Sequence, residues 1–439
     1  MARIPEQVQE IIKRLNAAGY EAWCVGGAVR DALLGREPGD WDVTTNALPE
    51  TVMALFAPNA LPTGLQHGTV TVGGGRGIEV TTYRRDGEYL DSRHPEHVEF
   101  TGSLVEDLAR RDFTVNAMAL GLDGTLVDPF GGQADLSAGI LRAVGDAQNR
   151  FEEDALRIMR GLRFAARLGF VIEEKTDAAM RRCAHLLRRI AVERIHVELT
   201  GLLCGEHVAE ILLQYPDILG VFMPEVLPCV GFEQQTKYHC YDVWEHTVRA
   251  VAQAPAQPIL RYALLFHDLG KPETFTVDEE GNGHFYGHWK PGMKIADAIM
   301  ERLRFDNYSR KTIVTLVERH DAPLPQEEKG VRRQLMRYGE EFLRLLLEVK
   351  RADNLAQAPA YRDRVELIDR WELLLNDVLA SQACFSLKDL AVKGGDITAL
   401  GIKGPAVGKT LQTLLELVID EMLPNEKAAL VNHVKENLL

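Results

Sequence analysis

The pattern of apolar and polar positions changes near residue 140. Before that point, short β-branched runs bounded by glycine or polar residues, such as "GTVTVGG" and "IEVTTYR", predict strands. Between two of the predicted strands, "AVRDALLG" predicts a short helix that ends at Gly35. After residue 140, apolar residues recur at helical spacing, as in "FEEDALRIMRGLRFAARLGF". The pattern therefore predicts an α+β fold, with a small mixed sheet followed by a long all-helical remainder.

Length and composition refine this picture. A chain of 439 residues predicts two to four domains, and we place them at 1–140, 141–225, 226–360 and 361–439. The net charge of −14 excludes a uniformly basic surface but leaves local basic patches possible. The six cysteines are scattered, and no apolar stretch is long enough for a membrane span. We therefore expect a cytoplasmic protein with reduced thiols and no membrane segment.

The first candidate site lies in "GGAVRDALLGREPGDWDVTT". Residues i and i+2 of a strand face the same side, so Asp40 and Asp42 are expected to project together. Glu79, on "IEVTTYR", offers a third carboxylate from a neighbouring strand, and oxygen ligands of this kind favour Mg²⁺ or Mn²⁺. The turn at Gly26–Gly27, with Arg30 nearby, suits a bound triphosphate. An isolated "DWD" is also common in solvated turns, so the interpretation depends on the whole set.

Taken together, these residues resemble the signature of the polymerase beta nucleotidyltransferase superfamily. "GGAVRD" and "LLGREPGDWDVTTNALPE" are similar to the class that contains bacterial CCA-adding enzymes and poly(A) polymerases. The resemblance continues through "RRDFTVNAMAL", "DPFGG", "EDALRIMRGLRFAARLGF" and "GIKGPAVGKTLQTLLELV". It implies template-independent addition of CCA to tRNA from CTP and ATP, with release of pyrophosphate. The predicted head at 1–140 would then be catalytic, and 141–225 would be a neck that selects the nucleotide.

The resemblance also assigns residues that bind the nucleotide. Asp154 and Arg157 are three residues apart, and spacing alone favours a common surface ion pair on one helix face. The resemblance instead implies that this pair recognises the base of the incoming nucleotide. A hydrogen-bond acceptor (Asp154) beside a donor (Arg157) matches the base edges of cytosine and adenine. The further nucleotide-binding residues that it implies are Gly26, Gly27, Arg30, Arg111, Asp112, Asn116, Arg160 and Arg163.

The polar segment from Arg84 to Phe100 is predicted to be a mobile loop. It resembles the flexible loop that full CCA-adding enzymes need for the change from C to A addition. Near the other end of the chain, Gly404 precedes a predicted helix with Lys403 and Lys409 close to its start. The resemblance implies that this tail, 361–439, contacts tRNA.

A second candidate site lies in the predicted domain at 226–360. His246, His267, Asp268 and Asp353 occur in the order that resembles HD-type metal-dependent phosphohydrolases. His288 and His320 match the additional ligands of two-metal versions. Imidazole and carboxylate ligands suit Mn, Ni, Co, Fe or Zn. A domain kept as a spacer for tRNA binding is the alternative interpretation of this region.

Three other functions remain open at this point. An A-adding tRNA nucleotidyltransferase and a poly(A) polymerase share the same motifs. An HD phosphohydrolase with a vestigial head belongs to a different class, and the intact "GG", "DWD" and "EDALR" motifs argue against it.

Overall fold

The computed structural model describes residues 3–74, 77–86, 98–381 and 383–438. The chain divides into two compact units, Met1–Pro224 and Glu225–Leu439. The predicted boundary at 225/226 lies next to this division, and the other boundaries stay predictions. Within the described ranges, no helix is both long and apolar enough to cross a membrane.

The N-terminal unit contains a mixed sheet and shorter strands around it. These strands are β1 (Ala22–Val25), β2 (Asp42–Thr45), β3 (Ala60–Gly64), β4 (Thr69–Val72), β5 (Ile78–Thr82), β6 (Arg84–Asp86), β7 (Val98–Phe100), β8 (Ala119–Leu120), β9 (Leu126–Val127), β10 (Ile140–Leu141) and β11 (Val171–Ile172). Among the described residues, seven of them form the mixed sheet, in the order β3-β4-β5-β2-β1-β8-β9. In this sheet β2 and β5 are parallel, and the other neighbouring strands are antiparallel.

Alternation of side chains explains why these segments form strands. In β4, Val70 and Val72 are buried, and the two threonines between and beside them are half-buried. The β-branched side chains therefore pack on one face with a period of two. A compact core joins β1 and the helix at Leu104–Ala109, with Val25, Tyr83 and Leu108 inside it.

Helices cover this sheet and continue beyond it as the neck. They are α1 (Glu6–Ala17), α2 (Gly27–Leu33), α3 (Pro49–Phe56), α4 (Leu104–Ala109), α5 (Gly132–Ala138), α6 (Ala147–Glu153), α7 (Leu156–Leu168), α8 (Glu174–Cys183), α9 (Val192–Leu203), α10 (Val208–Gln214) and α11 (Pro216–Leu219). As the apolar spacing predicts, Leu156, Met159 and Leu162 of α7 are buried.

The C-terminal unit is almost entirely helical. Its elements are α12 (Val243–Gln253), α13 (Pro258–Phe266), α14 (Lys271–Thr274), β12 (Thr276–Val277), β13 (Gly283–His284), α15 (Trp289–Arg302), α16 (Asn307–Arg319), α17 (Glu328–Leu355), α18 (Arg364–Ala380), α19 (Gly394–Ala399), α20 (Pro405–Ile419) and α21 (Lys427–Asn437). One apolar cluster joins α17 to α18, and another joins α19, α20 and α21. Helix α20 begins directly after Gly404, whose φ of 64° favours glycine.

The predicted α+β class with an N-terminal sheet and a helical remainder is confirmed. Three strands of the sheet are not indicated by the β-branched pattern. In β3, three of the five residues are alanine, proline and glycine, and β8 and β9 are only two residues long each. The predicted loop from Arg84 to Phe100 lies mostly outside the described residues. Its two ends pair as β6 and β7, with Arg84 opposite Phe100.

Candidate functional site

A glycine turn opens the first site. Strand β1 ends at Val25, Gly26 has a φ of 76°, and α2 begins at Gly27. A Cβ atom on Gly26 would lie 3.2 Å from Nη1 of Arg111 and 3.8 Å from Oδ2 of Asp42. Only glycine adopts this backbone conformation readily, and its missing side chain leaves space between a guanidinium and a carboxylate.

The predicted carboxylates lie on one side of this turn. Asp42 is the first residue of β2 and aligns with Glu79 of the parallel strand β5, so both side chains face the same way. Burial, and then the charges of Glu79 and Asp40, raise the pKa of Asp42 to about 6, although Arg111 opposes them. Such crowding of negative charge is unfavourable unless a cation offsets it, so these residues fit a divalent ion with oxygen ligands.

The expectation that Asp40 and Asp42 share a strand is wrong. Strand β2 begins at Asp42, and Asp40 lies in the exposed segment before it. Pro38, Gly39 and Asp40 are residue types that are depleted in strands, and the β-branched run begins only at Val43, which explains why the strand begins late. Asp40 nevertheless lies close enough to raise the pKa of Asp42.

Asp112 organises the opposite side of the site. Its Oδ2 accepts hydrogen bonds from Nε and Nη2 of Arg160, at 2.8 and 2.7 Å. Its Oδ1 accepts from the backbone N–H of Phe113 at 2.8 Å and from Asn116 at 3.1 Å. Burial alone would raise the pKa of Asp112, but Arg160 and these hydrogen bonds outweigh it and lower the pKa to about 2. Asp112 therefore fixes Arg160 and Asn116 beside the glycine turn.

Replacing Asp112 with Asn is expected to destabilise the chain by about 2 kcal/mol at neutral pH, because it removes the charge that Arg160 binds. The folded-state pKa lies below the ordinary value of aspartate. The stabilisation is therefore complete above about pH 4 and is lost as the pH falls towards about 2. Urea unfolding of both chains, from neutral pH down to the lowest pH at which they fold, measures the difference. A difference that stays constant with pH would contradict the charge as its cause.

Arg30 contacts protein groups in this site. Its Nη1 donates to Oδ1 of Asn116 at 2.7 Å, and its Nε and Nη2 both donate to Oδ1 of Asp31. Arg30 is almost completely buried. The structure therefore places Arg30 in the wall of the site, where it holds Asn116, and its predicted contact with a triphosphate stays a prediction.

Asp154 and Arg157 lie together, but they do not share a helix face as the spacing predicts. Helix α6 ends at Glu153, Asp154 has an extended backbone, and α7 begins at Leu156. The helix breaks because Oδ1 of Asp154 accepts the backbone N–H of Leu156 at 3.0 Å, a local bond that competes with helix continuation. Arg157 is buried and donates to Glu153 at 2.6 Å and to the carbonyl of Arg110 at 3.0 Å.

These residues enclose a pocket of about 410 Å³ in the N-terminal unit. Its lining residues are Gly26, Gly27, Arg30, Asp42, Arg110, Arg111, Asp112, Asn116, Asp154, Leu156, Arg157, Arg160, Phe164 and Arg194. Of the predicted site residues, Asp40, Glu79 and Arg163 are not in this lining. Arg163 instead donates to Glu198 at 2.6 Å and lies over the ring of Phe164.

The second candidate site brings all six predicted ligands together in the C-terminal unit. His246 lies on α12, and Asp353 lies near the end of α17. The other four are at helix ends: His267 and Asp268 follow α13, His288 precedes α15, and His320 follows α16. All but Asp353 are buried.

Asp268 stands between two pairs of histidines. Its Oδ2 lies 3.1 Å from Nε2 of His267 and 3.4 Å from Nε2 of His246. Its Oδ1 lies 3.4 Å from Nε2 of His288 and 3.9 Å from Nε2 of His320. Asp353 adds a carboxylate oxygen 3.0 Å from Nε2 of His246. The donor atoms form two compact groups that share one carboxylate and could each hold a metal ion.

Backbone carbonyls orient three of these histidines. The Nδ1 atoms of His267, His288 and His320 lie 2.6, 2.9 and 2.7 Å from the carbonyl oxygens of the residues three positions before them. An Nδ1–H that donates to a carbonyl leaves Nε2 unprotonated and directed at the cluster. The neighbouring pocket of about 590 Å³ also contains the basic residues Lys237, Lys271 and Arg364, which suit an anionic ligand.

Three models of known families match separate segments of the chain. Residues 22–142 match a model of the poly(A) polymerase head domain. Residues 169–229 match a model described as "Probable RNA and SrmB-binding site of polymerase A", and residues 290–434 match one described as "tRNA nucleotidyltransferase domain 2 putative".

Full-length relatives decide the family. A CCA-adding enzyme from Levilactobacillus brevis is 37% identical over 434 residues, which cover 98% of each chain. The chain belongs to the CCA-adding enzyme family. A second CCA-adding enzyme, from Geobacillus stearothermophilus, is 37% identical and covers 95% of this chain and 93% of its own. The crystal structure of the Bacillus stearothermophilus CCA-adding enzyme in complex with CTP has a TM-score of 0.73 and 32% identity, and the match covers 99% and 98% of the two chains.

Two further residues support the pocket of this CCA-adding family member. Asp107 is completely buried and accepts from Arg110 at 2.9 Å and from Arg111 at 3.4 Å, so it fixes the segment that carries Arg111. The sequence contains a signal for these contacts, because Asp107 precedes the two arginines by three and four residues in "EDLARR", a spacing that brings side chains together on a helix. Arg194 contacts Asp154 from α9, and no local signal linked these two residues, which are 40 positions apart.

Proposed function

We propose that this chain adds CCA to the 3′ end of tRNA without a template, using CTP and ATP and releasing pyrophosphate. The observation that carries the proposal is the pocket in the N-terminal unit. It places Asp42, Arg111 and the base-reading candidate Asp154 around one space beside a glycine turn. Membership of the CCA-adding enzyme family, and the CTP bound by the Bacillus stearothermophilus relative, support tRNA and CTP as substrates.

Asp40, Asp42 and Glu79 hold Mg²⁺ in this proposal. The raised pKa of Asp42 supports it, because a cation would relieve the crowding of the three carboxylates. When bound, the metal supplies Lewis-acid activation of the attacking hydroxyl and offsets the charge of the departing pyrophosphate. The protein's own part is positional: Gly26 and Gly27 leave room for the phosphates, and Arg111 and Arg160 present positive charge to them.

Base choice follows from the chemistry of Asp154 and Arg157. The carboxylate accepts from the exocyclic amine of cytosine or adenine, and the arginine donates to the acceptors beside that amine. Uracil and guanine place a carbonyl opposite the carboxylate. An unmet buried polar group costs about 1–3 kcal/mol, so UTP and GTP are disfavoured.

Incorporation into one tRNA transcript that lacks CCA tests this proposal. Each nucleoside triphosphate is supplied singly with Mg²⁺, and then CTP and ATP are supplied together. Addition of C, C and A followed by a stop is the expected result. Incorporation of A alone, and only on a transcript that ends in CC, would replace the proposal with A addition. Long A runs on many RNAs would replace it with poly(A) synthesis.

We also propose that the C-terminal unit carries a transition-metal site that hydrolyses phosphate esters. Asp268 supports this, since one carboxylate lies between two buried histidine pairs. Manganese, nickel, cobalt, iron and zinc all suit mixed imidazole and carboxylate ligands. Lys271, whose Nζ lies 2.7 Å from Oδ2 of Asp268, supplies a positive charge beside the cluster.

A further inference from the structure

Arg194 contacts the carboxylate that reads the base in the proposed function. It lies in the first turn of α9, and its Nη2 donates to Oδ2 of Asp154 at 3.2 Å. The exposed fraction of the side chain is 32% for Arg194 and 15% for Asp154. Both residues line the same pocket.

Asp154 has no regular helix to hold its side chain, because its backbone is extended between α6 and α7. Within the described ranges, two donors hold the carboxylate. The backbone N–H of Leu156 binds Oδ1 at 3.0 Å, and Arg194 binds Oδ2. Each carboxylate oxygen accepts about two hydrogen bonds, so both donors can fix the carboxylate and still leave an acceptor for a base.

Arg194 is carried by a firmly packed element. Ile195, Leu199 and Leu202 of α9 are buried, and Glu198 of the same helix binds Arg163 of α7 at 2.6 Å. Asp154 is the acidic partner of Arg194 among the described residues, and Nη1 of Arg194 is buried there without a hydrogen-bond partner. The arginine is therefore held in the pocket by its helix and directed at Asp154.

We propose that Arg194 is a positioning residue for base selection that acts through Asp154. This inference rests on the proposed function. Arg194 holds the carboxylate with an acceptor facing the base edge, which favours the amine of cytosine or adenine and disfavours the carbonyl of uracil or guanine. Without Arg194, one backbone donor remains, and Asp154 can rotate away from an incoming carbonyl. Discrimination then falls, while the other contacts with the nucleotide remain.

Arg194→Ala tests this role through the ratio of kcat/KM for CTP to that for UTP, on a tRNA transcript that lacks CCA. We expect the ratio to fall about tenfold, which corresponds to about 1.4 kcal/mol. Arg194→Lys should restore part of the ratio, because a lysine keeps the charge but lacks the planar fork. Arg182→Ala removes an exposed arginine from α8 and should leave the ratio unchanged.

A double-mutant cycle separates positioning from other roles. In an Asp154→Ala background, Arg194→Ala should not change the ratio of kcat/KM for CTP to that for UTP any further. Where turnover of the variants is too slow to measure, the ratio of the equilibrium affinities for CTP and UTP replaces it. Further loss in that background would overturn the inference, because Arg194 would then contact the base directly. If Arg194→Ala lowered kcat/KM for CTP and for UTP by the same factor, Arg194 would have a purely structural role, and the inference would be overturned. An unchanged ratio in a chain that adds CCA would overturn this inference only, whereas no addition by the unsubstituted chain would overturn the proposed function.

Discussion

Asp42→Asn is expected to reduce nucleotide addition to a small residual rate and to leave tRNA affinity near that of the unsubstituted chain. Asparagine keeps the shape of the side chain but removes the charge that would hold Mg²⁺ between β2 and β5. Loss of about 4 kcal/mol of transition-state stabilisation would lower kcat about 10³-fold. Single-turnover incorporation of CMP measures the rate, and filter binding of tRNA measures the affinity.

The same substitution should not lower the free energy of unfolding. Asp42 is crowded by Glu79 and Asp40, and burial further disfavours its charge. The neutral amide relieves this crowding, so urea unfolding without metal should show equal or greater stability. A chain that is more stable but inactive would separate catalysis from folding.

Glu50→Gln is the matched control for this prediction, because Glu50 is an exposed carboxylate on α3 of the same unit. It should add CMP at the unsubstituted rate. Addition by Asp42→Asn at a rate near that of the control would show that Asp42 does not hold the catalytic metal.

Much of this site follows from local sequence patterns. The β-branched run around Val80 predicts the strand that carries Glu79, and the glycine pair predicts the turn before α2. These features depend on backbone preferences of neighbouring residues, which a single sequence records. The structure places Glu79 directly beside Asp42, because their strands pair in register.

Other features depend on contacts that are distant in the sequence. A continuous apolar spacing runs through "FEEDALRIMRGLRF", so the break at Asp154 is invisible in the pattern. Arg194, 40 residues later, binds one carboxylate oxygen there, and Leu156 binds the other. Likewise, Arg30 matches a phosphate-binding pattern but is bound by Asn116, 86 residues away. Local spacing cannot distinguish these tertiary partners from surface pairs.

In the C-terminal unit, the order of histidines and aspartates in the sequence predicts which residues meet, but not how they share a carboxylate. That arrangement requires His267 and Asp268 to follow α13 while His288 and His320 lie at the ends of two other helices. Three helix ends must therefore pack around Asp268. Such packing is a property of the folded unit rather than of any one motif.

Asp268→Asn is expected to remove metal binding from this cluster and to leave CCA addition unchanged. Asp268 is the carboxylate that faces both histidine pairs, so its neutral replacement weakens both metal groups at once. Loss of a direct ligand should lower the affinity for Mn²⁺ or Ni²⁺ by at least about 100-fold, since even indirect partners of metal ligands contribute 10–100-fold. Equilibrium dialysis against each metal, followed by elemental analysis of the protein, measures this affinity. Hydrolysis of bis(p-nitrophenyl) phosphate without nucleotides measures the activity, which should fall to the uncatalysed rate.

Asp297→Asn provides the control, because Asp297 is a half-exposed carboxylate of the same unit that pairs with Arg310. It should keep both metal affinity and hydrolysis. If Asp268→Asn bound metal as tightly as this control, the histidines would be buried structural residues. If it lost CCA addition together with metal, the cluster would serve nucleotide transfer instead of a separate hydrolysis. The expected pattern, with hydrolysis lost and addition retained, requires two independent sites, one in each unit of the chain.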